Sequence, residues 1–545
     1  VGLGGEKGAG SSPRRLLDMV LGETGAAPTV ERFNEAMRRC ERRQTKWQTK
    51  RRPATAHAAA GPERGQIGVG GDEWKRAVLL LRDMHTLGLK PTLESFRSAV
   101  VACRKAGQWS FALQVLEAME ACGVQGDEFT YNTAISACGE AGKWEEALSL
   151  LRGMQARSSH SKVGGAAGAG GVPPGLVSYN AAISACAARA QWLEAVELLA
   201  EMLPLGLAPN VKSYGAAISA CARAGKAELA LELLQDLKAS KSGHTTPDLL
   251  VYNAAMTACE KRGLWNEALE LLQEAEAAGL EPDRVSFTAC LSACGRAGEW
   301  EKALELFDSM SPPASSSKAA RNSVDEVAFN SALTALERAG QWPRALELLD
   351  SMASRGVKPG VVSVNAVVSA AARCGEWAAA LGLLERMPGD FGLAPDVVTL
   401  NACLSACARA GEWAVALEVL QRLNAGSFGP GVEADRVTYN AAMDACAKGG
   451  GAWEAAMDLL DDMQARHLEP DLISFNACMQ ACVRGGQPKR ALFLLDLMQT
   501  PRFSMAPDVV TYQIALGACE SLESKPGTTP QGASRGGGGG GGGGG

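Results

Sequence analysis

Asparagine returns at one position of a repeated motif: Asn34, Asn132, Asn180, Asn253, Asn330, Asn365, Asn401, Asn440 and Asn476, with Thr288 in one copy. Three residues earlier stands a small apolar residue, Val177, Val285, Val327, Val362, Val398 or Val437, and Ile473 in a further copy. Eight residues later comes a base: Arg42, Lys105, Arg223, Lys261, Arg296, Arg338, Arg373, Arg409, Lys448 and Arg484, the row broken only by Glu140 and Ala188. An amide both donates and accepts hydrogen bonds. A cation neutralises phosphate, and an apolar side chain packs on the flat face of a base. This is recognition chemistry, and it suits single-stranded RNA. Asn is a mediocre helix former, so the fold is expected to gain little from the row.

Bond-breaking chemistry finds no footing. The zinc deaminase pattern, H-x-E followed by P-C-x-x-C, does not occur. The five histidines (His57, His85, His160, His244, His467) lie outside metal-ligand spacing of any cysteine pair. Cys290/Cys294, Cys403/Cys407 and Cys478/Cys482 each share a helix face, but two thiols make a poor zinc site. Too few residues follow Cys519 for a nuclease domain. The expectation is a binding protein, not an enzyme, with no metal and no cofactor.

The elements that carry these rows are legible from periodicity. In VSYNAAISACAARAQWLEAVELL, from Val177, the residues Tyr179, Ile183 and Cys186 form one apolar helical stripe. With Leu176 as the first residue of the unit, Asn180 is the fifth and Ser178 is expected as the N-cap. Glycine closes the first helix, as at Gly142, Gly225, Gly298, Gly340 and Gly411. A second helix opens on Trp109, Trp144, Trp192, Trp265, Trp300, Trp342, Trp377, Trp413 or Trp453 and continues as in Ala303, Leu304, Leu306, Phe307 and Met310. Both the Trp and the Met positions are expected in the core. A turn such as Gly279 to Asp283 ends the unit.

Self-similarity at about 35 residues signals a stacked-repeat architecture. The expected fold is all-α: an α-solenoid superhelix of about twelve helix-turn-helix units over residues 30–519, the last of them followed by a half-unit from Val509 to Cys519. Residues 1–29 read as a low-complexity segment and 520–545 as a disordered Gly-rich tail. Insertions are expected at 41–71, 158–171 and 311–323. The first is basic, with Arg42, Arg43, Lys46, Lys50, Arg51 and Arg52.

Sixteen cysteines would allow a disulfide framework, yet most share one repeat position, as Cys138, Cys186, Cys221, Cys259, Cys294, Cys407, Cys446 and Cys482. Equivalent positions on stacked helices sit roughly 8–10 Å apart, beyond the reach of a disulfide. These thiols are expected as small buried packing residues in a reducing compartment. The net charge of −6 counts against a nucleic-acid partner. The answer lies in segregation: the bases line the first helices, whereas Glu145, Glu146, Glu197, Glu301 and Glu305 lie on the second. No apolar run reaches the roughly 18 residues of a membrane span.

The signature V-T/S-Y-N-x-x-I-x-A-C…G-x-W-x-x-A-L-x-L-L-x-x-M…P-D resembles the pentatricopeptide repeat family from Val30 to Cys519. The resemblance implies one RNA base per repeat, read by the fifth residue together with the last, with RNA running 5′ to 3′ along the chain. Base-reading residues would then be Asn132, Asn180 with Asn210, Asn253 with Asp283, Thr288 with Asp325, Asn330, Asn365 with Asp396, Asn401 with Asp435, Asn440 with Asp471, and Asn476 with Asp508. The valines named above and Ile473 would wedge between bases, and Lys105, Arg223, Lys261, Arg296, Arg338, Arg373, Arg409, Lys448 and Arg484 would contact phosphates. In the family, Asn with Asp favours uridine, Thr with Asp guanosine, and Asn with Asn cytidine. The implied core site is 5′-C-x-U-G-x-U-U-U-U-3′. Arg97 and Gly215 stand in place of the Asn, and Gly175 and Gly360 in place of the closing Asp, so those units are expected to read poorly.

Two plainer readings stand beside these. The closing Asp residues are good N-caps, and a base near a helix C-terminus complements its dipole. At the level of function, the resemblance implies organellar RNA processing, stability or translation in a mitochondrion or chloroplast, with possible protein partners of RNA processing. The alternatives are a helical-repeat scaffold for a protein segment, and the RNA-binding arm of a processing enzyme whose catalytic part is absent.

Overall fold

Apolar residues three and four apart fold the start of each unit into a helix of 13 or 14 residues, as in Leu176–Ala188, Leu249–Arg262 and Val397–Ala410. The structure, a computed structural model, describes residues 29–51, 73–163, 172–240, 246–310, 324–429, 431–450, 452–503 and 505–523. Among the described residues there are 25 α-helices, a short π-helical turn at Met387–Phe391, and no strand. Two compact units, 1–293 and 294–545, divide the chain. Within each, a leading helix packs on its own trailing helix and on the next leading helix. The fold is an all-α helical-repeat solenoid.

Caps fix where the leading helices begin. Asp396, Asp435 and Asp471 precede the first turn in extended backbone and accept the backbone N–H groups of Thr399, Thr438 and Ser474. Each satisfies a donor that the helix itself leaves orphaned. The expected cap Ser178 is corrected. Gly175 holds the cap position, and Ser178 lies two residues into the helix, fully buried, accepting the Gly175 N–H at 3.2 Å. The far ends close as expected: Gly225, Gly340 and Gly411 take φ of 72°, 68° and 78°, a region costly for any residue with a Cβ.

The core is built from small and flexible side chains. Cys186, Cys221, Cys259, Cys407, Cys446 and Cys482 are buried and unbridged, and burial pushes the Cys186 thiol up to about 12 and that of Cys446 to about 11. Met119, Met202, Met352 and Met463 are fully enclosed.

The tryptophans are not, and this overturns a sequence expectation. As the first residue of a trailing helix, each of Trp109, Trp144, Trp192, Trp265, Trp300, Trp342, Trp377 and Trp453 is only half-buried, and Trp413 is exposed. Several instead lie under a cation of the next unit. Arg344 sits 4.3 Å from the Trp300 ring centroid, Arg490 4.0 Å from Trp453, and Lys226 5.2 Å from Trp192.

Two expected insertions begin as helix. Val30–Arg51 runs past Glu41, and Trp144–Val163 runs past Ser158, because neither segment meets a proline or glycine sooner after those points. Residues 52–72, 164–171 and 311–323 lie outside the described residues, as do 1–28 and 524–545 of the expected terminal segments 1–29 and 520–545; residues 520–523, expected in the tail, instead complete the helix Val509–Glu523. No helix among the described residues is long and apolar enough to cross a membrane.

Candidate functional site

The fifth-position amides and the closing acids meet. Asn253 Nδ2 donates to Asp283 Oδ1 at 3.0 Å, Asn365 to Asp396 at 3.1 Å, Asn401 to Asp435 at 3.3 Å, Asn440 to Asp471 at 3.1 Å and Asn476 to Asp508 at 3.4 Å. Asn180 donates in the same way to Asn210, at 3.4 Å. A residue about thirty positions downstream is brought into contact because it caps the next leading helix, which packs on the one carrying the Asn. Capping and pairing are therefore a single arrangement.

A third partner was missed from sequence. After every Asn but Asn132, the third residue of the following helix supplies a hydroxyl that donates to the Asn carbonyl, as Ser286 to Asn253 and Ser474 to Asn440, both at 2.6 Å, and Thr438 to Asn401 at 2.7 Å. The same hydroxyl accepts its cap's backbone N–H, as Ser474 does from Asp471 at 3.1 Å. The expectation that the fold gains little from the Asn row is thereby corrected: the amide staples successive leading helices. A signal for this was present. Val251 and Ala328, which lack a hydroxyl at this position, fall in the units that follow Gly215 and Thr288, where there is no Asn to bind.

One amide hydrogen and one carbonyl lone pair of each Asn remain beyond these bonds. Three of the carboxylates beside them have their pKa lowered by their hydrogen bonds. Burial would raise Asp396, but the backbone N–H and hydroxyl of Thr399 and the amide of Asn365 outweigh it and keep the carboxyl below its ordinary 3.8. Asp435 and Asp471 are lowered in the same way. Thr288 differs from the Asn residues: its hydroxyl donates to the Arg284 carbonyl of its own helix at 2.8 Å. Asp325 caps Ala328 at 3.0 Å.

Beside this row runs a file of exposed aliphatics. Val177, Val285, Val327, Val362, Val398, Val437 and Ile473 are 49–64 % exposed. Leu250 (72 %) and Phe129 (46 %) belong with them; their larger side chains hid them from a search for small residues. Around Asn180, the residues Val177, Asn210, Lys212, Arg223 and Arg104 line an open depression of about 600 Å³.

The basic row has a structural duty as well. Arg338 donates to the Arg296 carbonyl at 2.7 Å, Arg409 to that of Arg373 at 2.8 Å, Lys261 to that of Arg223 at 2.6 Å, Arg223 to that of Ala187 at 2.6 Å and Arg484 to that of Ala447 at 3.3 Å. Each covers a carbonyl near the end of the preceding leading helix, where a cation also meets the negative dipole end. Lys105 pairs with Glu41 at 2.9 Å and Lys448 with Asp444 at 2.7 Å. Arg296, Arg338 and Arg373 converge on an open hollow of about 430 Å³ together with Glu337, whose carboxyl burial pushes up against the opposing pull of Arg373 and Arg338. Among the described residues no group of three or more His, Cys, Asp or Glu is placed to hold a metal ion.

Stacked helix pairs, most of them carrying an amide, a closing acid and an exposed apolar side chain, define a helical-repeat protein. The PPR repeat family model matches residues 174–223, 247–296 and 434–484. The PPR repeat model matches 129–159, 212–241, 285–311, 327–357, 362–390 and 473–500, and the pentatricopeptide repeat domain model 79–141 and 382–449. Together these cover more than half of the chain, which belongs to the pentatricopeptide repeat family. No curated protein matches it. Among solved structures it is similar to the pentatricopeptide repeat protein PPR10 from maize, at 20% identity over 94% of this chain and 80% of that one, with a TM-score of 0.49. It is also similar to PPR10 in complex with an 18-nt psaJ RNA element, at 21% identity over 93% and 86% of the two chains (TM-score 0.36). A third likeness is to yeast Rmd9p in complex with a 16-nt target RNA, at 8% identity over 90% and 96% (TM-score 0.36).

Proposed function

We propose that this chain binds single-stranded RNA sequence-selectively, one repeat to one base, and acts in RNA processing, stability or translation in a mitochondrion or chloroplast. The observation that carries the binding reading is the file of exposed aliphatics beside the Asn–Asp pairs. In most repeats a branched apolar side chain is left in water, usually next to a pre-oriented amide, and a stacked base would cover it. The spare amide hydrogen and the acceptor oxygens beside it complement the edge of a pyrimidine. Arg223, Arg338, Arg409 and Arg484 each hold a helix end with one guanidinium nitrogen, and the other is placed to reach a phosphate. The organelle rests on family membership.

The test is direct binding of short RNAs carrying 5′-C-x-U-G-x-U-U-U-U-3′ and of variants differing at the base facing the eleventh unit. Wild type should prefer uridine there. Asn440→Thr should move the preference towards guanosine, each matched edge being worth roughly 1–3 kcal/mol on the scale known for DNA. Equal affinity for all four bases in both proteins overturns the base-reading proposal.

A further inference from the structure

Two units close with glycine, Gly175 and Gly360, where the others have Asp, Asn or Thr. The backbone does not ask for it. Gly175 has φ −100° and ψ −174°, Gly360 has φ −97° and ψ 173°, and Asp396 in the equivalent place has φ −104° and ψ 175°. Any residue adopts that extended conformation.

What occupies the place of a side chain is a carboxylate from the same repeat. A Cβ on Gly175 would lie 2.5 Å from Glu128 Oε1, and a Cβ on Gly360 would collide with Glu326 Oε1. Glu128 and Glu326 are each the first residue of a leading helix, one turn before Asn132 and Asn330. Of the twelve full units, only the two that close with glycine begin with Glu; the first residue elsewhere is Val, Leu or Arg. A helix dipole favours Glu at such a place, but the dipole is common to all units and gives no reason for glycine to accompany it.

We infer that Glu128 and Glu326 are specificity-determining residues that supply, from the first position of the repeat, the carboxylate that the closing glycine lacks. The hydrogen bonds support the exchange. Asn132 Nδ2 donates to Glu128 Oε1 at 3.4 Å, in the role that Asp283 plays for Asn253. The Ser178 hydroxyl also lies 3.5 Å from that oxygen, which leaves the buried Asn132 Oδ1 without a partner. In the eighth unit the Ser363 hydroxyl donates to Asn330 Oδ1 at 2.6 Å, as in the units closed by Asp. The third unit thus sets its amide against the Glu128 carboxylate, the eighth holds the Glu326 carboxylate where the closing side chain would stand, and on this inference both favour uridine instead of being silent. The site becomes 5′-U-C-x-U-G-U-U-U-U-U-3′. This inference rests on the base-reading proposal and sharpens it.

The experiment measures binding of RNAs that vary only at the base facing the eighth unit, with the base facing the eleventh unit varied in parallel as a control. Three proteins are compared: wild type, Glu326→Gln, and the double variant Glu326→Ala/Gly360→Asp, which moves the carboxylate to the usual place. Wild type should prefer uridine at the eighth-unit base by roughly tenfold. Glu326→Gln should lose most of that preference without changing the control, and the double variant should regain it. Thermal melts establish that each protein is folded. An absent wild-type preference, or one untouched by Glu326→Gln, overturns the inference while a discriminating control leaves the base-reading proposal standing. Loss of discrimination at both bases in wild type overturns the two together.

Discussion

At the residue scale, single side chains here hold two duties, and the duties share one geometry. Asn440 donates to Asp471 and accepts from Ser474, so the bonds that hold two helices together also fix the orientation of the amide. The same scale separates true core from its lookalikes. Tyr439 is fully enclosed and its hydroxyl donates to Asp462 at 2.5 Å. Trp300 is half-buried beneath Arg344. Tyr439→Ala should cost roughly 3–5 kcal/mol, as deletion of a buried aromatic does. Trp300→Ala should cost only about 1–2 kcal/mol, from partial burial and one cation–π interaction. Denaturant melts of the two variants decide this, and equal losses would place the Trp row in the core after all.

The helix termini carry the element-scale consequences. Asp396, Asp435 and Asp471 cap their helices as carboxylates held below 3.8 in the folded state. A group whose folded pKa is depressed binds its proton more readily when unfolded. Its stabilisation is therefore complete above the ordinary value of 3.8 and is lost as pH falls from there through the folded value. Melting temperatures should show no pH dependence from these three groups between about pH 5 and 7, where their contribution is complete, and a progressive loss below about pH 4. Replacing all three by Asn, which still caps, should flatten the acid limb. An unaltered acid limb would mean that other carboxylates govern it.

At the scale of the whole molecule, a stack is only as protected as its neighbours make it. The helix Val509–Glu523 has no trailing helix among the described residues, and Tyr512 and Leu516 are 51 % and 64 % exposed, whereas the equivalent Tyr179 and Ile183 are buried. Its amides should exchange hydrogen faster than those of Leu472–Arg484, since local opening costs less where less apolar packing is disrupted; equal protection would show that something covers this face. The basic row offers a second test. Changing Arg296, Arg338, Arg373 and Arg409 together to Ala should weaken RNA binding about equally across sequences. The slope of log affinity against log salt should shrink by roughly 0.7 for each phosphate that no longer meets a cation. An unchanged slope would leave these arginines with helix-end duty alone.

Repetition decided what the sequence could determine. A signal repeated across twelve units averages out local noise, so the helix pairs, the Met and Cys core positions and the glycine ends could all be read from the chain, while the pairing of Asn440 with Asp471 came only with the family resemblance. Other features depended on which face of an element meets its neighbour, and one-dimensional spacing does not carry that. Trp300 keeps helical spacing with the core yet opens its helix at the rim. Ser178 looks like a cap and proves to be a buried hydroxyl inside the first turn. Gly360 reads as a gap until Glu326, 34 residues earlier in the chain, is seen to fill it. Packing of one leading helix on the next decided these, because it brings side chains from separate repeats into the same few ångströms.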